Sequence, residues 1–514
     1  MKKRRIVKHI GTGLLLGAVA GAVTGAAITL YKCCAKHVIH LSESGYHFLR
    51  HNPLWLIPTV IVLLGLAFLL AHIYRCTTNL RGGGIPTAIG VLRGIIPFRW
   101  MRNAIGILFL SLTTFLVGVP LGNEGPSVQL GTALGRGSTG LLGKKKRNAW
   151  DRYGMTCGAC AGFSTATGAP LSGILFAVEE AHHRVSPLLL LVATTSVCAA
   201  RLVSEWLSPL LGVSDTLFPA MELKPLTITD CWIPVVMGVV VGLFAVLFLS
   251  LYRGMIHLLN NRLAKVPDVY KIFAVLALTL TVGCLSYSYI STGHELVLSL
   301  FSGEVMIPLL ITILLVRTLL TTGANVANLT GGIFLPLLAI GATLAALLGQ
   351  VATACGLDTG YYPTILVLGI TACIAGMMKM PLTAIAFAVE ALSGDTIILP
   401  ILLVSGIAYG VAELFGAVSI NDRVLDHRLE QMERGERKKE NVTVTVQPDS
   451  FAVGKDIRDI LWPNGVFVLS VDKKQALGGK TLSAGDNLLI RYVTHNESRL
   501  WTELTDILGE QTEK

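Results

Sequence analysis

Charge is what this chain lacks. Asp, Glu, Lys and Arg make up 14% of its 514 residues, against about 25% in an ordinary soluble domain. The few charges are concentrated between Asn421 and Lys514. Catalytic groupings are missing too: no nucleophile–base set, metal cluster or phosphate loop appears, so an enzyme is not expected. The ten cysteines all lie between Cys33 and Cys373, and none is in the polar C-terminal part. Cys157 and Cys160 have redox or metal spacing, but they sit among small residues without a second pair. Such a pair in an apolar segment reads as helix-contact residues. His182 and His183 likewise have no metal-ligand company, and no metal is expected.

Apolar residues fill the space that charge leaves. Hydrophobic residues make up 52% of the chain, and mean hydropathy is +0.64. Long apolar runs cover 14–30, 54–70, 233–251, 272–285 and 307–320. Several reach or approach the roughly 20 residues a helix needs to cross hydrocarbon. The net charge of +10 is compatible with a nucleic-acid partner. However, the basic clusters at 2–5 and 144–147 flank apolar runs, so a lipid membrane is the expected partner and nucleic acid is not. Loops rich in Lys and Arg stay on the cytoplasmic side, which predicts a cytoplasmic N-terminus. The first apolar run is too long for a signal-peptide core and more runs follow it, so it reads as a retained first helix.

The chain also repeats itself. GNEGPSVQLG at 122–131 and GIFLPLLAIG at 332–341 share the pattern G-x-x-x-P-x-x-x-x-G. PLSGILFAVE at 170–179 matches PLTAIAFAVE at 381–390. The offsets are 210 residues (Pro126 to Pro336) and 211 (Pro170 to Pro381). Two matches at nearly one offset predict two homologous halves, about 10–210 and 225–420. Repeats of this kind mark secondary transporters, whose sites form between the halves from broken helices. Hydropathy leaves open whether the repeat is parallel or inverted.

Three Gly-Pro motifs interrupt the apolar segments: GGGIP at 82–86, GNEGP at 122–126 and GGIFLP at 331–336. Proline suits the first turn of a helix, and glycine lets a ligand approach the backbone. Each motif predicts a helix N-terminus at membrane depth, where unpaired amides and the positive dipole end bind anions. Such partial charges permit release, whereas a lysine or arginine would hold the anion. Glu124 lies inside one motif. An intramembrane carboxylate is costly and usually functional; beside those amides it can imitate the anion, compete with it, and leave on protonation. Glu179 and Glu180 are neighbours, about 100° apart on a helix, so they cannot share a face. Glu390 repeats Glu179 while Ala391 stands at the Glu180 place. The shared glutamate therefore reads as structural and Glu180 as functional.

These residues resemble the CLC family of chloride channels and antiporters over about residues 10–434. The three Gly-Pro motifs are similar to its three anion-site signatures, and GAPLSGILFAVEE at 168–180 to its segment with an internal proton-transfer glutamate. The resemblance implies an all-α polytopic fold of two inverted repeats, spanning 1–434, and a homodimer with one anion path per subunit. It assigns Glu124 as the external gating glutamate and Glu180 as the internal proton glutamate. Anion contacts fall on Gly83, Gly84, Ile85, Gly125, Ile333, Phe334 and Asn421. Three positions depart from the family pattern. Its common serine is Gly83, its arginine before the gating glutamate is Asn123, and its tyrosine near the last membrane helix is Asn421. Fluoride- and nitrate-preferring branches also differ at the serine position; chloride is the expected cargo. A carboxylate at 180 is typical of proton-coupled members, which favours chloride/proton antiport in a bacterial cytoplasmic membrane over a passive gated channel.

After a charged linker at 435–440, the pattern changes. Strands are predicted at 441–446, 466–471 and 487–493, and helices at 456–461 and 497–508. This small α/β domain, 441–514, resembles the C-terminal subdomain of RCK-type potassium-transport regulators (TrkA-C-like), through GKDIR at 454–458, VFVLSV at 466–471 and AGDNLL at 484–489. In some relatives that subdomain dimerises and binds cyclic di-AMP. The resemblance places such a site at Ile457, Arg458 and Asn464, with a ligand-free dimerisation clamp as the other reading. A third possibility for the whole chain is a nucleotide-sensing membrane protein without coupled transport.

Overall fold

The computed structural model describes residues 2–142, 144–303, 305–432, 438–472, 474–475, 480–494 and 497–510. The first eight helices are α1 (Lys2–His51), α2 (Leu56–Cys76), α3 (Gly84–Leu92), α4 (Trp100–Val117), α5 (Glu124–Ser138), α6 (Lys144–Thr167), α7 (Pro170–Phe176) and α8 (Pro187–Leu211). Eight more follow: α9 (Trp232–His257), α10 (Asp268–Leu285), α11 (His294–Phe301), α12 (Ile307–Val326), α13 (Phe334–Ala354), α14 (Tyr362–Cys373), α15 (Pro381–Ala391) and α16 (Ile398–Leu414). The two sets correspond helix for helix, with α17 (Ile420–Met432) added at the end. Short elements such as α3, α7, α11 and α15 alternate with long ones, which is how broken helices bring chain ends to mid-membrane depth.

Ten helices among the described residues are long and apolar enough to cross a membrane. Their outer faces keep large apolar side chains exposed, as with Ile57, Ile61, Phe68 and Leu69 on α2, while Leu63, Ala67, Leu70 and Tyr74 point inward. That distribution suits lipid outside and protein inside. The α1 helix has 50 residues; at about 1.5 Å rise per residue it outruns a hydrocarbon core of about 30 Å. Glycines let helices meet without side chains between them. A Cβ on Gly25 would stand 2.6 Å from the Ala200 carbonyl, and one on Gly158 would collide with the Gly131 carbonyl. Cys157 and Cys160 belong to this packing: Cys157 Sγ donates to the Val192 carbonyl, and Cys160 packs with Ala177, Ala193 and Val197.

Among the described residues, three turns are wound as π-helix: Ala177–Ala181 after α7, Leu258–Arg262 after α9 and Ile374–Met378 after α14. Single π turns inside helices often mark functional sites, and the first of these carries Glu179 and Glu180.

The C-terminal residues form an antiparallel sheet of β1 (Lys438–Thr445), β2 (Val466–Val471), β3 (Lys474–Gln475) and β4 (Asn487–Thr494), ordered β1-β4-β2-β3. Helix α18 (Glu497–Leu508) covers one face, and Val444, Val471, Leu488, Ile490, Tyr492 and Leu504 fill the core between them. Two expectations are corrected. The segment expected as a linker lies outside the described residues as far as 437, and residues 438–440 already pair in β1, opposite 492–494. The helix expected at 456–461 is a single 3-10 turn, Ile457–Asp459. The Asp456 carboxylate accepts from the Arg458 amide (2.9 Å), a local side-chain bond that competes with helix. The following carbonyls then turn outward: Asp459 to Tyr153, Ile460 to Arg184, and Leu461 and Trp462 to Arg152.

Candidate anion and proton site

Three helix N-termini converge. Helix α3 starts at Gly84, α5 at Glu124 and α13 at Phe334, each with its proline at the third position. The approach is backbone to backbone. Gly122 and Gly332 exchange two hydrogen bonds, N to O at 2.6 and 2.7 Å, tying the signature of one half to that of the other. A Cβ on Gly84 would collide with the Gly125 carbonyl, and one on Gly125 would stand 2.7 Å from Gly332 Cα. Real Cβ atoms do not tolerate such distances, which is why glycine occupies these places.

Beside this junction lies a small cavity of about 10 Å³, lined by Gly83, Ile85, Pro86, Asn325, Gly332, Ile333, Ile420, Asn421 and Val424. Its size is near the least that holds one water-sized particle. Of the residues expected at an anion site, Gly83, Ile85, Ile333 and Asn421 line it. Gly84 and Gly125 form the glycine contact next to it. The Phe334 ring turns into the core, edge-on to Phe163 and Phe387 at 5.2 and 5.3 Å. A second cavity of about 120 Å³ shares Asn325 and Val424 with the first and is lined by Arg81, Asp268, Lys271, Tyr74 and Tyr252. Basic side chains in its wall suit an anion's approach.

Glu124 is completely buried at the start of α5. Its carboxyl lies against Gly122 and Leu335. The backbone amides of Glu124 and Leu335 face it, and among the described residues no side chain bonds either buried oxygen. A buried carboxylate without a side-chain partner is costly, so this one is poised to exchange with an anion or to take a proton.

The two adjacent glutamates separate as their repeat partners predict. Glu179 accepts from the amides of Leu382 (2.9 Å) and Thr383 (2.7 Å) and from the Thr383 hydroxyl, closing the first turn of α15. Glu390 does the same for α7, accepting from Leu171 (2.6 Å) and Ser172 (3.0 Å). Each pair is related by the 211-residue offset, so the halves clasp each other about an approximate two-fold axis. Glu180 points elsewhere. It is 2% exposed, and its Oε1 accepts from Asn421 Nδ2 at 3.0 Å. Arg93 fixes the turn from behind, donating to the carbonyls of Glu180 and Ala181 and pairing with Asp422 at 3.6 Å.

Asn325, Ile420 and Val424 line the cavity without having been foreseen, and Asn325 is the polar one. Asn325 Oδ1 accepts from Tyr252 Oη at 2.6 Å, which turns Nδ2 toward Gly83; a Cβ there would stand 3.3 Å from it. An amide N–H from α12 thus lies beside Gly83, where the family pattern has a serine. Nothing in the pattern around Asn325 signals this, because the two positions meet only through the fold.

The family can now be read from comparison. A family model described as a voltage gated chloride channel matches residues 65–413, more than half of the chain. The chain belongs to the CLC family. It is 26% identical over 433 residues to the H(+)/Cl(-) exchange transporter ClcA of Vibrio vulnificus strain YJ016, covering 81% of this chain and 89% of that protein. The Citrobacter koseri protein of the same description is 25% identical over 452 residues, covering 84% and 92%. Among solved structures, a slow cyanobacterial Cl-/H+ antiporter superposes with a TM-score of 0.73 at 24% identity, covering 82% of this chain and 99% of that one. A CLC-type fluoride/proton antiporter superposes with a TM-score of 0.63 at 20% identity, covering 79% and 96%. At these identities the superpositions speak for the fold: this chain has the CLC architecture, with an added C-terminal α/β region. The CLC fold accounts for the paired halves and the convergence of α3, α5 and α13.

In the C-terminal region, Arg458 is exposed and paired with Asp456 (3.1 Å), Ile457 is half-buried, and Asn464 is exposed. The same segment docks on the membrane part: Asp459 Oδ1 accepts from Ser186 Oγ (2.7 Å) and the Leu188 amide (3.4 Å) at the start of α8.

Proposed function

We propose that this CLC protein exchanges chloride for protons. The observation that carries the reading is a pair of buried carboxyls, one at the junction of the helix starts and one bonded to the wall of the cavity beside it. Glu124 lies without a side-chain partner where the α5 and α13 N-termini meet, and Glu180 is hydrogen-bonded to Asn421 in the cavity wall. Amides of Gly84, Ile85, Gly125, Ile333 and Phe334, with Asn325 and Asn421, would hold the anion. Glu124 would leave the path on protonation and return as the anion departs, while Glu180 passes protons to the other side. The exchange activity described for the Vibrio and Citrobacter relatives supports the same assignment. The functional unit in this reading is a homodimer in a bacterial cytoplasmic membrane, with both termini in the cytoplasm.

The decisive experiment is paired measurement of chloride and proton flux in liposomes containing the purified protein. Uphill proton movement driven by a chloride gradient, lost in Glu180→Gln while chloride flux persists, supports antiport. Chloride flux without proton movement makes the protein a channel. Absence of both leaves the sensor reading.

For the C-terminal region, the RCK C-terminal resemblance supports cyclic di-AMP as a regulatory ligand, held by Ile457, Arg458 and Asn464. Its neighbourhood supports a consequence for transport, because Asp459 caps α8 directly after the turn that carries Glu180. Titrating the purified full chain with cyclic di-AMP, beside Arg458→Ala, tests this; no binding discards the ligand and leaves the dimerisation clamp.

A further inference from the structure

The two asparagines of the cavity are held differently. Asn325 Oδ1 accepts from Tyr252 Oη, which leaves Nδ2 for the cavity. Asn421 faces the Glu180 carboxyl itself. Its Nδ2 donates to Glu180 Oε1, and its Oδ1 is buried in the cavity wall with no hydrogen-bond partner among the described residues. With Glu180 ionised, Asn421 must therefore show the cavity an acceptor, the wrong end for an anion. A protonated Glu180 opens the reverse arrangement. Its O–H donates to Asn421 Oδ1, and the amide turned over presents Nδ2–H to the cavity.

We propose that Asn421 is a positioning residue whose side-chain amide turns over with the proton on Glu180, donating to the cavity anion only when that proton is present. The proposal rests on the antiport reading of the same site. It makes the proton and the anion bind cooperatively through one side chain: whatever factor the proton adds to anion affinity, the anion adds to proton affinity. Other charged groups around Glu180 are already engaged. From α3, Arg93 bonds the Glu180 carbonyl, pairs with Asp422 of α17 and meets His183 Nε2. From α6, Thr156 bonds the half-buried His182. Glu179 is held by α15. Beyond the third π turn, Lys379 bonds the Ala417 carbonyl and pairs with Glu413. Asn421 is the group that touches both the carboxyl and the cavity.

The test is chloride affinity against pH, measured by calorimetry on the purified full-length protein. A Glu124→Gln background removes competition by the gate. In that background, affinity should weaken roughly tenfold as Glu180 loses its proton, the worth of one hydrogen bond to an ion. Adding Glu180→Gln should hold affinity at the tight level at every pH, because the Gln amide can donate to Asn421 Oδ1. Adding Asn421→Ala should hold it at the weak level at every pH. A pH dependence that survives Asn421→Ala, or one absent from Glu124→Gln alone, overturns the proposal. Should Asn421→Ala fail to fold, the Glu180→Gln arm decides: weak or still pH-dependent binding there overturns it equally. Proton flux in liposomes tests the antiport reading separately, so coupled transport with pH-independent chloride binding would reject the amide switch alone.

Discussion

Glu179 and Glu390 exchange caps: the carboxylate of each closes the first turn of the helical segment that carries the other. Carboxylates at helix N-termini are stabilising, through both the dipole and the amides they satisfy. Glu179→Ala and Glu390→Ala should each cost about 1–3 kcal/mol and lower the thermal midpoint in detergent by similar amounts. Chloride-driven proton flux should persist in the folded fraction of both. Unchanged stability with lost proton coupling would show that the clasp has been misread.

Neighbouring glycines should respond oppositely to substitution. Gly84→Ala places a methyl group in the Gly125 carbonyl, on a helix start with no room to retreat, and should abolish recovery of folded protein. Gly83→Ser meets a tight contact, 3.3 Å from Asn325 Nδ2, at the end of a side chain that can give by a few tenths of an ångström, and an ordinary one, 3.4 Å from the Gly331 carbonyl. It should fold, add a hydroxyl donor to the cavity and change the chloride-to-nitrate flux ratio. Size-exclusion chromatography and anion competition in liposomes check the two outcomes.

Outside the membrane part, the Lys438 ammonium and the Tyr492 hydroxyl hold the Glu497 carboxyl down to about 2, from an ordinary value of 4.5. A carboxylate lowered on folding stabilises fully above its unfolded value, and that contribution is lost as pH falls through the folded one. The contact between β1 and α18 should therefore loosen between about pH 4.5 and 2. Trp501, whose Nε1 reaches Glu497 at 3.4 Å, should report it by fluorescence. Glu497→Gln should remove this part of the acid response; an unchanged profile would refute the assignment.

Docking of the C-terminal region should hinge on Asp459. Asp459→Ala leaves the Ser186 hydroxyl and the Leu188 amide without their carboxylate. Limited proteolysis should then release this region faster, by roughly the factor that about 1 kcal/mol of lost cap implies. Equal protection in the variant would mean that Tyr153, Arg152 and Arg184 hold the interface unaided.

What could be read from the sequence was whatever depended on local chemistry. Gly-Pro spacing marked the starts of α3, α5 and α13, because only certain residues fit a tight helix start. Alternation and amphipathic spacing placed β2 at Val466–Val471 and α18 at Glu497–Leu508. The turn at 457–459 escaped because its carbonyls are claimed by arginines and a tyrosine some 300 residues earlier in the chain. The π turn at 177–181 and the role of Asn325 escaped for the same reason. A fifth-residue hydrogen bond or a donor aimed at a distant glycine leaves no periodic trace.

The bridge between Gly122 and Gly332 sets a limit on how this molecule can move. Two backbone bonds and a bed of bare glycine contacts weld the halves at their narrowest point, and the exchanged caps weld them again farther along. Halves joined in this way cannot part at the junction without breaking those two bonds. The carboxyl of Glu124, lying against one of the welded glycines, is free to leave while they hold.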